Sequence, residues 1–364
     1  MSRLFEPLQV GNVKLQHRVV MAPLTRFRAD DNYVPILPIV KEYYEQRASV
    51  PGTLLITEGT FISPRAGGFK NVPGIWNAAQ IKAWREVTDA VHEKGSFIYC
   101  QLWALGRAAT SEVLSADGYK VVSSSNHAFP DGETPEPLDE EGIQGFIDDF
   151  TNAAKNAIEA GFDGVEIHGA NGYLPDQFLQ DVSNDRTDRW GGSIENRSRF
   201  GLEVTKAVTA AIGPEKTGYR ISPWSPFQGM KMKDPVPQFK HHVTKLAELG
   251  LAYIHIVESR ISGNQTIDVV SEQVDPFLEA WTENKSAHSA TFLAGGFTAK
   301  GAEDTLQRYK SYKIAIVFGR HFIANPDLPM RIKKNIAFND YDRDTFYRPK
   351  SPTGYIDYPF APAA

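Results

Sequence analysis

Read for the spacing of its apolar residues, the chain alternates between two periods. Leu8-Gln9-Val10 and Val13-Lys14-Leu15 place apolar residues at every second position on either side of Gly11-Asn12, the pattern of a tight β-hairpin. Beyond it, short β-rich runs recur at Val19–Met21, Leu54–Thr57, Phe97–Gln101, Gly164–His168, Thr217–Ile221, Tyr253–Val257, Thr291–Ala294 and Ile314–Phe318. Helical spacing fills the intervals. It is clearest from Asp139 to Ala160, where Ile143, Phe146, Ile147, Phe150, Ala154, Ala157 and Ile158 share one face. Asp139 is placed to cap that helix, Glu140 and Glu141 suit the positive end of its dipole, and Gly161 suits the C′ position.

Eight strands alternating with helices call for parallel pairing through right-handed crossovers. No G-x-G-x-x-G opens any helix, so a closed (β/α)8 TIM barrel with an N-terminal β-hairpin is favoured over an open doubly wound sheet. No linker or low-complexity stretch divides residues 1–364, which read as a single domain. Residues 104–138, rich in Ser, Gly and Pro, follow the third strand and are too long for a plain loop; they read as a lid insertion over the barrel mouth.

Composition narrows the class. A hydrophobic share of 41% suits a globular core, and a formal charge of −5 argues against nucleic acid or an anionic membrane as partner. One cysteine, Cys100, excludes an internal disulfide and fits a reducing compartment. No h-region opens the chain and no apolar run reaches membrane-spanning length, so the expectation is a cytoplasmic enzyme, monomer or homodimer, acting on a small molecule. No His, Asp or Glu grouping has metal-ligand spacing. Cys100 turns toward the helices by strand parity and reads as an inert thiol; His241-His242 reads as exposed helix surface, and Asp185–Arg189 as a structural ion-pair cluster.

In such a barrel, chemistry gathers at the C-terminal ends of the strands. Several strands here end in residues that a packed core would not choose. The third ends at Gln101, the fourth at His168, and the fifth carries Arg220. Alternation in Val165-Glu166-Ile167-His168 turns Glu166 and His168 inward. The seventh and eighth strands run into Gly295-Gly296 and Gly319-Arg320, a backbone cradle and a guanidinium fork suited to a phosphate. A phosphate grip, an amide at Gln101, a cation at Arg220 and a hydroxyl at Thr25 together suit flavin mononucleotide.

In order along the chain stand His17-Arg18-Val19-Val20-Met21-Ala22-Pro23-Leu24-Thr25-Arg26, Ile56-Thr57-Glu58-Gly59 and Gln101-Leu102-Trp103. They are followed by His168-Gly169-Ala170-Asn171-Gly172-Tyr173-Leu174, Asn184 to Ser193, Phe318-Gly319-Arg320, Asn325-Pro326-Asp327-Leu328 and Gly354 to Pro359. From about Leu4 to Tyr358 this pattern resembles the Old Yellow Enzyme family, FMN enzymes that reduce activated C=C bonds with NAD(P)H. The resemblance implies a flavin lined by Pro23, Leu24, Thr25 and Gly59, held at its pyrimidine edge by Gln101 and Arg220 and at its phosphate by Gly295, Gly296, Gly319 and Arg320. It implies His168 and Asn171 as carbonyl-oxygen donors, Tyr173 as proton donor, and Trp103, Phe346 and Tyr347 as pocket walls for an enone or enal. Two alternatives stay open: a relative in a secondary-metabolite pathway, such as that of an alkaloid, acting as reductase or isomerase, and a non-redox phosphate-binding barrel such as an aldolase. No lysine ends an inward-facing strand, which counts against the latter.

Overall fold

A computed structural model describes residues 2–128, 132–263, 265–266, 273–283 and 289–362. Eight strands pair in parallel: β1 (Val19–Met21), β2 (Leu54–Ile56), β3 (Phe97–Trp103), β4 (Gly164–His168), β5 (Thr217–Ile221), β6 (Tyr253–Val257), β7 (Ala290–Ala294) and β8 (Ile314–Phe318). Ile316 of β8 pairs with Val19 of β1, which closes the cylinder. Helices Ala78–Glu93, Glu140–Glu159, Ile194–Ile212, Val236–Ala247 and Ala299–Arg308 alternate with the strands, as the TIM barrel pattern requires. β3 runs two residues further than the spacing indicated, so Trp103 continues the inward-facing row of Tyr99 and Gln101 toward the mouth.

Strand parity separates two cores. Val19, Met21, Leu55, Cys100, Val165, Ile167, Ile254 and Ile316 face outward into the layer shared with the helices. Val20, Leu54, Ile56, Tyr99, Tyr253, Phe292, Ala315 and Val317 face inward. Leu8–Val10 pairs antiparallel with Val13–Leu15, and the hairpin's buried Leu8, Val10, Val13 and Leu15 join the inner cluster, plugging the base of the barrel.

The helix Glu140–Glu159 is capped as its sequence indicates. The Asp139 carboxylate accepts from the Gly142 N–H at 2.8 Å, and Gly161 follows with φ +89°. His242 differs from expectation. It is fully buried and packs edge-on against Tyr219 at 5.2 Å, because this face of Val236–Ala247 lies on the sheet; burial pushes its pKa down to about 3. Cys100 is buried among apolar neighbours, which pushes its thiol up to about 12. Arg186 pairs with Asp188 at 2.6 Å and donates to the Ser124 and Leu138 carbonyls, so the 185–189 cluster ties its loop to the insertion.

Residues 129–131 of that insertion lie outside the described residues. The rest holds a short helix, Ser111–Ala116, and pairs Val122–Ser123 with Glu136–Pro137. Leu105 and Ala108 pack behind Trp103 and Phe61.

The plug yields a stability prediction. Leu15→Ala deletes a fully buried side chain at the barrel base and should cost about 2–5 kcal/mol, whereas Lys14→Ala on the exposed face should stay within about 0.5 kcal/mol. Urea midpoints of the two variants check this; equal midpoints would remove the plug's role.

Candidate active site

The C-terminal ends of the strands open into a cavity of about 460 Å³. Its lining includes Pro23, Leu24 and Thr25 after β1, Gln101 and Trp103 on β3, and His168, Asn171 and Tyr173 at and beyond β4. Arg220 on β5, Gly295 and Gly296 after β7, Gly319 and Arg320 after β8, and Phe346 and Tyr347 from the C-terminal segment complete the set. Gly59 is the exception among the residues singled out above. It does not line the cavity: a Cβ there would come within 2.4 Å of the Trp103 ring, so it makes room for that indole. Among the described residues, none of 104–138 lines the cavity either.

One wall is aromatic and polar at once. The Tyr173 ring stands edge-on to Trp103 and to His168, with centroids 4.9 Å away in each case, and Trp103 and His168 stack at 6.2 Å. The turn after β4 creates this grouping. Asn171 adopts φ +58°, a conformation that Asn tolerates better than most residues, and Gly172 adopts φ +75°. The Asn171 N–H donates to Ser222 Oγ at 2.7 Å, and the Gly172 N–H to the buried Asp176 carboxylate at 2.9 Å. The chain then turns straight into the short helix Leu174–Leu179 with Tyr173 at its N-cap.

Burial sets the protonation states. It pushes His168 well below the ordinary histidine value, and the Arg220 charge pushes in the same direction, so the imidazole is neutral. Burial also raises Tyr173, with Tyr347 adding to the effect, so the phenol keeps its proton.

Sequence reasoning left out several members of the site. Phe227, Ile261, Gly263 and His321 also line the cavity. Directly beneath it, His255 Nδ1 meets Glu166 Oε2 at 2.9 Å. The alternation of Tyr253-Ile254-His255-Ile256-Val257 held the signal for His255: parity places it inward, like Glu166.

The far wall is supplied by distant sequence. Arg26 Nε and Arg28 Nη1 donate to the Phe346 carbonyl at 3.1 and 2.9 Å, and Arg26 Nη2 to the Gly354 carbonyl at 2.7 Å. These bonds fix the segment that carries Phe346 and Tyr347 to the segment that follows β1. Tyr347 packs edge-on to Phe27 at 5.6 Å.

The donor set fits FMN. Arg220 Nε and His168 Nδ1 are buried polar atoms with no hydrogen-bond partner among the described residues, and both residues line the cavity. Gln101 gives an N–H to Glu166 at 2.8 Å, which fixes its nitrogen there and leaves its carbonyl oxygen for a ring N–H. The glycines after β7 and β8 leave backbone uncovered where a phosphate would lie.

Comparison with known proteins agrees with this geometry. The profile of the NADH:flavin oxidoreductase / NADH oxidase family matches residues 3–339. A chanoclavine-I aldehyde reductase of Penicillium roqueforti is 56% identical, covering 99% of this chain and 97% of its own. A probable inactive reductase of Epichloe festucae var. lolii is 52% identical, covering 99% and 96%. Among solved structures, Old Yellow Enzyme from Pichia sp. AKU4542 superposes with a TM-score of 0.91 at 36% identity, covering 100% of this chain and 95% of that one. Morphinone reductase gives 0.89 at 40% identity, covering 99% and 96%. The non-redox barrel is thereby set aside. The chain belongs to the NADH:flavin oxidoreductase / NADH oxidase family, and is an oxidoreductase of the Old Yellow Enzyme type that uses FMN with NAD(P)H as electron donor.

Proposed function

We propose that this protein reduces the C=C bond of an α,β-unsaturated carbonyl compound, with His168 and Asn171 binding the carbonyl oxygen and Tyr173 supplying the proton. The observation that carries this reading is that His168, Asn171 and Tyr173 line one cavity together with Gln101 and Arg220, the Tyr173 ring standing 4.9 Å from His168. Pro23, Leu24 and Thr25 would lie along the flavin ring, Gln101 and Arg220 at its pyrimidine edge, and Gly295, Gly296, Gly319 and Arg320 at its phosphate. FMN, reduced by NAD(P)H, supplies the hydride to the β-carbon of the substrate.

The remaining work falls to the chain. A neutral His168 and the Asn171 carboxamide are two uncharged donors for one oxygen; they polarise the conjugated system and hold the negative charge that develops on that oxygen. Tyr173 then passes its phenolic proton to the α-carbon and recovers it from solvent. A raised pKa makes it a weak acid, but one that is fully protonated at neutral pH. Trp103, Phe346 and Tyr347 clasp the apolar body of the substrate and exclude water. The printed name of the Penicillium roqueforti relative favours an aldehyde as the acceptor. A second reading, isomerisation without net reduction, needs the proton donor to be absent; Tyr173 is present and packed against His168.

Tyr173→Phe should leave flavin reduction by NADPH within about twofold of wild type while slowing alkene reduction by about 10²-fold or more. Stopped-flow measurement of the two half-reactions separates these, and equal losses in both would remove the proton-donor role. His168→Ala should weaken binding of a phenolic ligand by about tenfold or more, corresponding to about 1.4 kcal/mol for a hydrogen bond to a charged oxygen. Unchanged affinity would show that the oxygen lies elsewhere. The folded-state pKa of His168 is lowered and that of Tyr173 raised, so neither group titrates between pH 6 and 9. Neither group should therefore put a step on the alkene half-reaction in that window; of the groups that build the site, the Asp176 carboxyl under the turn, pushed up to about 7 by burial, is the one that can. A sigmoid with a midpoint near about 6.5 that persists in Asp176→Asn would mean that His168 titrates as an ordinary histidine.

A further inference from the structure

Behind the residues that line the cavity stands a second rank. Glu166 on β4 and His255 on β6 are both fully buried. Strand register sets Gln101 opposite Glu166, and sets Arg220 opposite His168 on one side and His255 on the other. Gln101 Nε2 donates to Glu166 Oε1 at 2.8 Å, and His255 Nδ1 meets Glu166 Oε2 at 2.9 Å. Each oxygen of the carboxylate thus has its own partner.

An amide that gives an N–H to a carboxylate is held with its nitrogen on that side and its carbonyl oxygen turned away. Turning it over would place C=O against O⁻, two acceptors with no proton between them. Gln101 is therefore locked as an acceptor toward the cavity. Charge follows the same logic. Burial alone would push the Glu166 carboxyl up, but His255, Arg220 and the Gln101 bond outweigh it and hold it below the usual range. Burial keeps His255 below its ordinary value, so the ring is neutral and its proton sits on Nδ1, facing the carboxylate. The layer beneath the cavity then holds one anion, Glu166, against one cation, Arg220.

We propose that Glu166, steadied by His255, is a positioning residue for the flavin: it fixes Gln101 as an acceptor, so that the pocket demands an N–H on the facing ring edge, and it offsets the charge of Arg220. This rests on the placement of Gln101 and Arg220 at the pyrimidine edge given above. Glu166→Gln keeps volume and shape while releasing both constraints. The replacement carboxamide no longer dictates which way Gln101 points, and Arg220 is left uncompensated below a ring that becomes more negative on reduction.

Two measurements test the proposal. In the holoprotein, E166Q should raise the two-electron reduction potential of bound FMN by about 30 mV, equivalent to a tenfold gain in binding of reduced over oxidised flavin. Separately, the full-length chain should bind FMN about tenfold or more tightly than 3-methyl-FMN, in which the ring N–H is gone, and E166Q should narrow that ratio. An unchanged potential in E166Q, or equal affinity of the wild-type chain for the two flavins, overturns the proposal. The wild-type comparison stands even if E166Q does not fold. Gln101→Ala separates the levels. No change in FMN affinity in that variant removes the pyrimidine-edge assignment itself, whereas a loss there with E166Q silent removes only the role of Glu166.

Discussion

In the upper part of this barrel, polar side chains from several strands are buried together, and the site above depends on how they satisfy one another. Gln101, Glu166, Arg220 and His255 come from four successive strands, and all are buried. An uncompensated charge at such depth would cost several kcal/mol; here Glu166 is bonded to Gln101 and His255, and its charge offsets that of Arg220. Beneath it, Tyr253 stacks on Phe292 at 4.1 Å, and the N-terminal hairpin seals the base. The layer is therefore supported from below by packed side chains. His168 and Trp103 stand two residues further along the strands that bear Glu166 and Gln101, and so inherit its rigidity.

A second constraint acts from the side. Arg26, Arg28 and Arg47 are all buried, and between them they donate to the carbonyls of Phe322, Phe346, Ser351, Gly354 and Tyr355. A guanidinium carries five N–H donors in a fixed fork, which lets one side chain hold several carbonyls of an irregular segment that makes no ladder of its own. Glu58, the buried carboxyl beside them, is pushed up to about 7 by burial, even though the Arg26 N–H and both neighbouring guanidiniums favour its charge. The C-terminal segment is thus fastened to the segment that follows β1, and Phe346 reaches the same cavity as Thr25.

What the sequence made legible follows from these forces. Period-two alternation and capping chemistry are local, so the strands, the hairpin and the Asp139 cap could be read before any contact was known. Residues at strand ends could be read because parity and barrel topology fix where they point. His242 escaped because a histidine pair on a helix looks like surface until the sheet behind it is in place. Gly59 escaped because its neighbour, the Trp103 ring, comes from a strand that runs two residues past its apparent end. Neither Arg26 nor Arg28 announces that it holds a segment more than 300 residues away. Such clamps depend on backbone carbonyls, which carry no sequence signal.

The division between strand-borne and loop-borne parts also bears on selectivity. Gln101, His168 and Arg220 sit on strands beside the buried layer, so their share of the cavity lining is set by the barrel itself. Phe227, Ile261, Gly263, Phe346 and Tyr347 border the same cavity from loops and from the C-terminal segment. Loops tolerate substitution and rearrangement far better than a barrel interior does. Proteins half identical to this chain can therefore share the platform and still differ in substrate, or in whether they turn over at all. Tyr173 lies on the boundary: its backbone belongs to the turn after β4, but its ring is wedged between Trp103 and His168, both strand-borne. That wedge ties the phenol to the rigid part of the site and leaves the shape of the rest of the cavity to the loops.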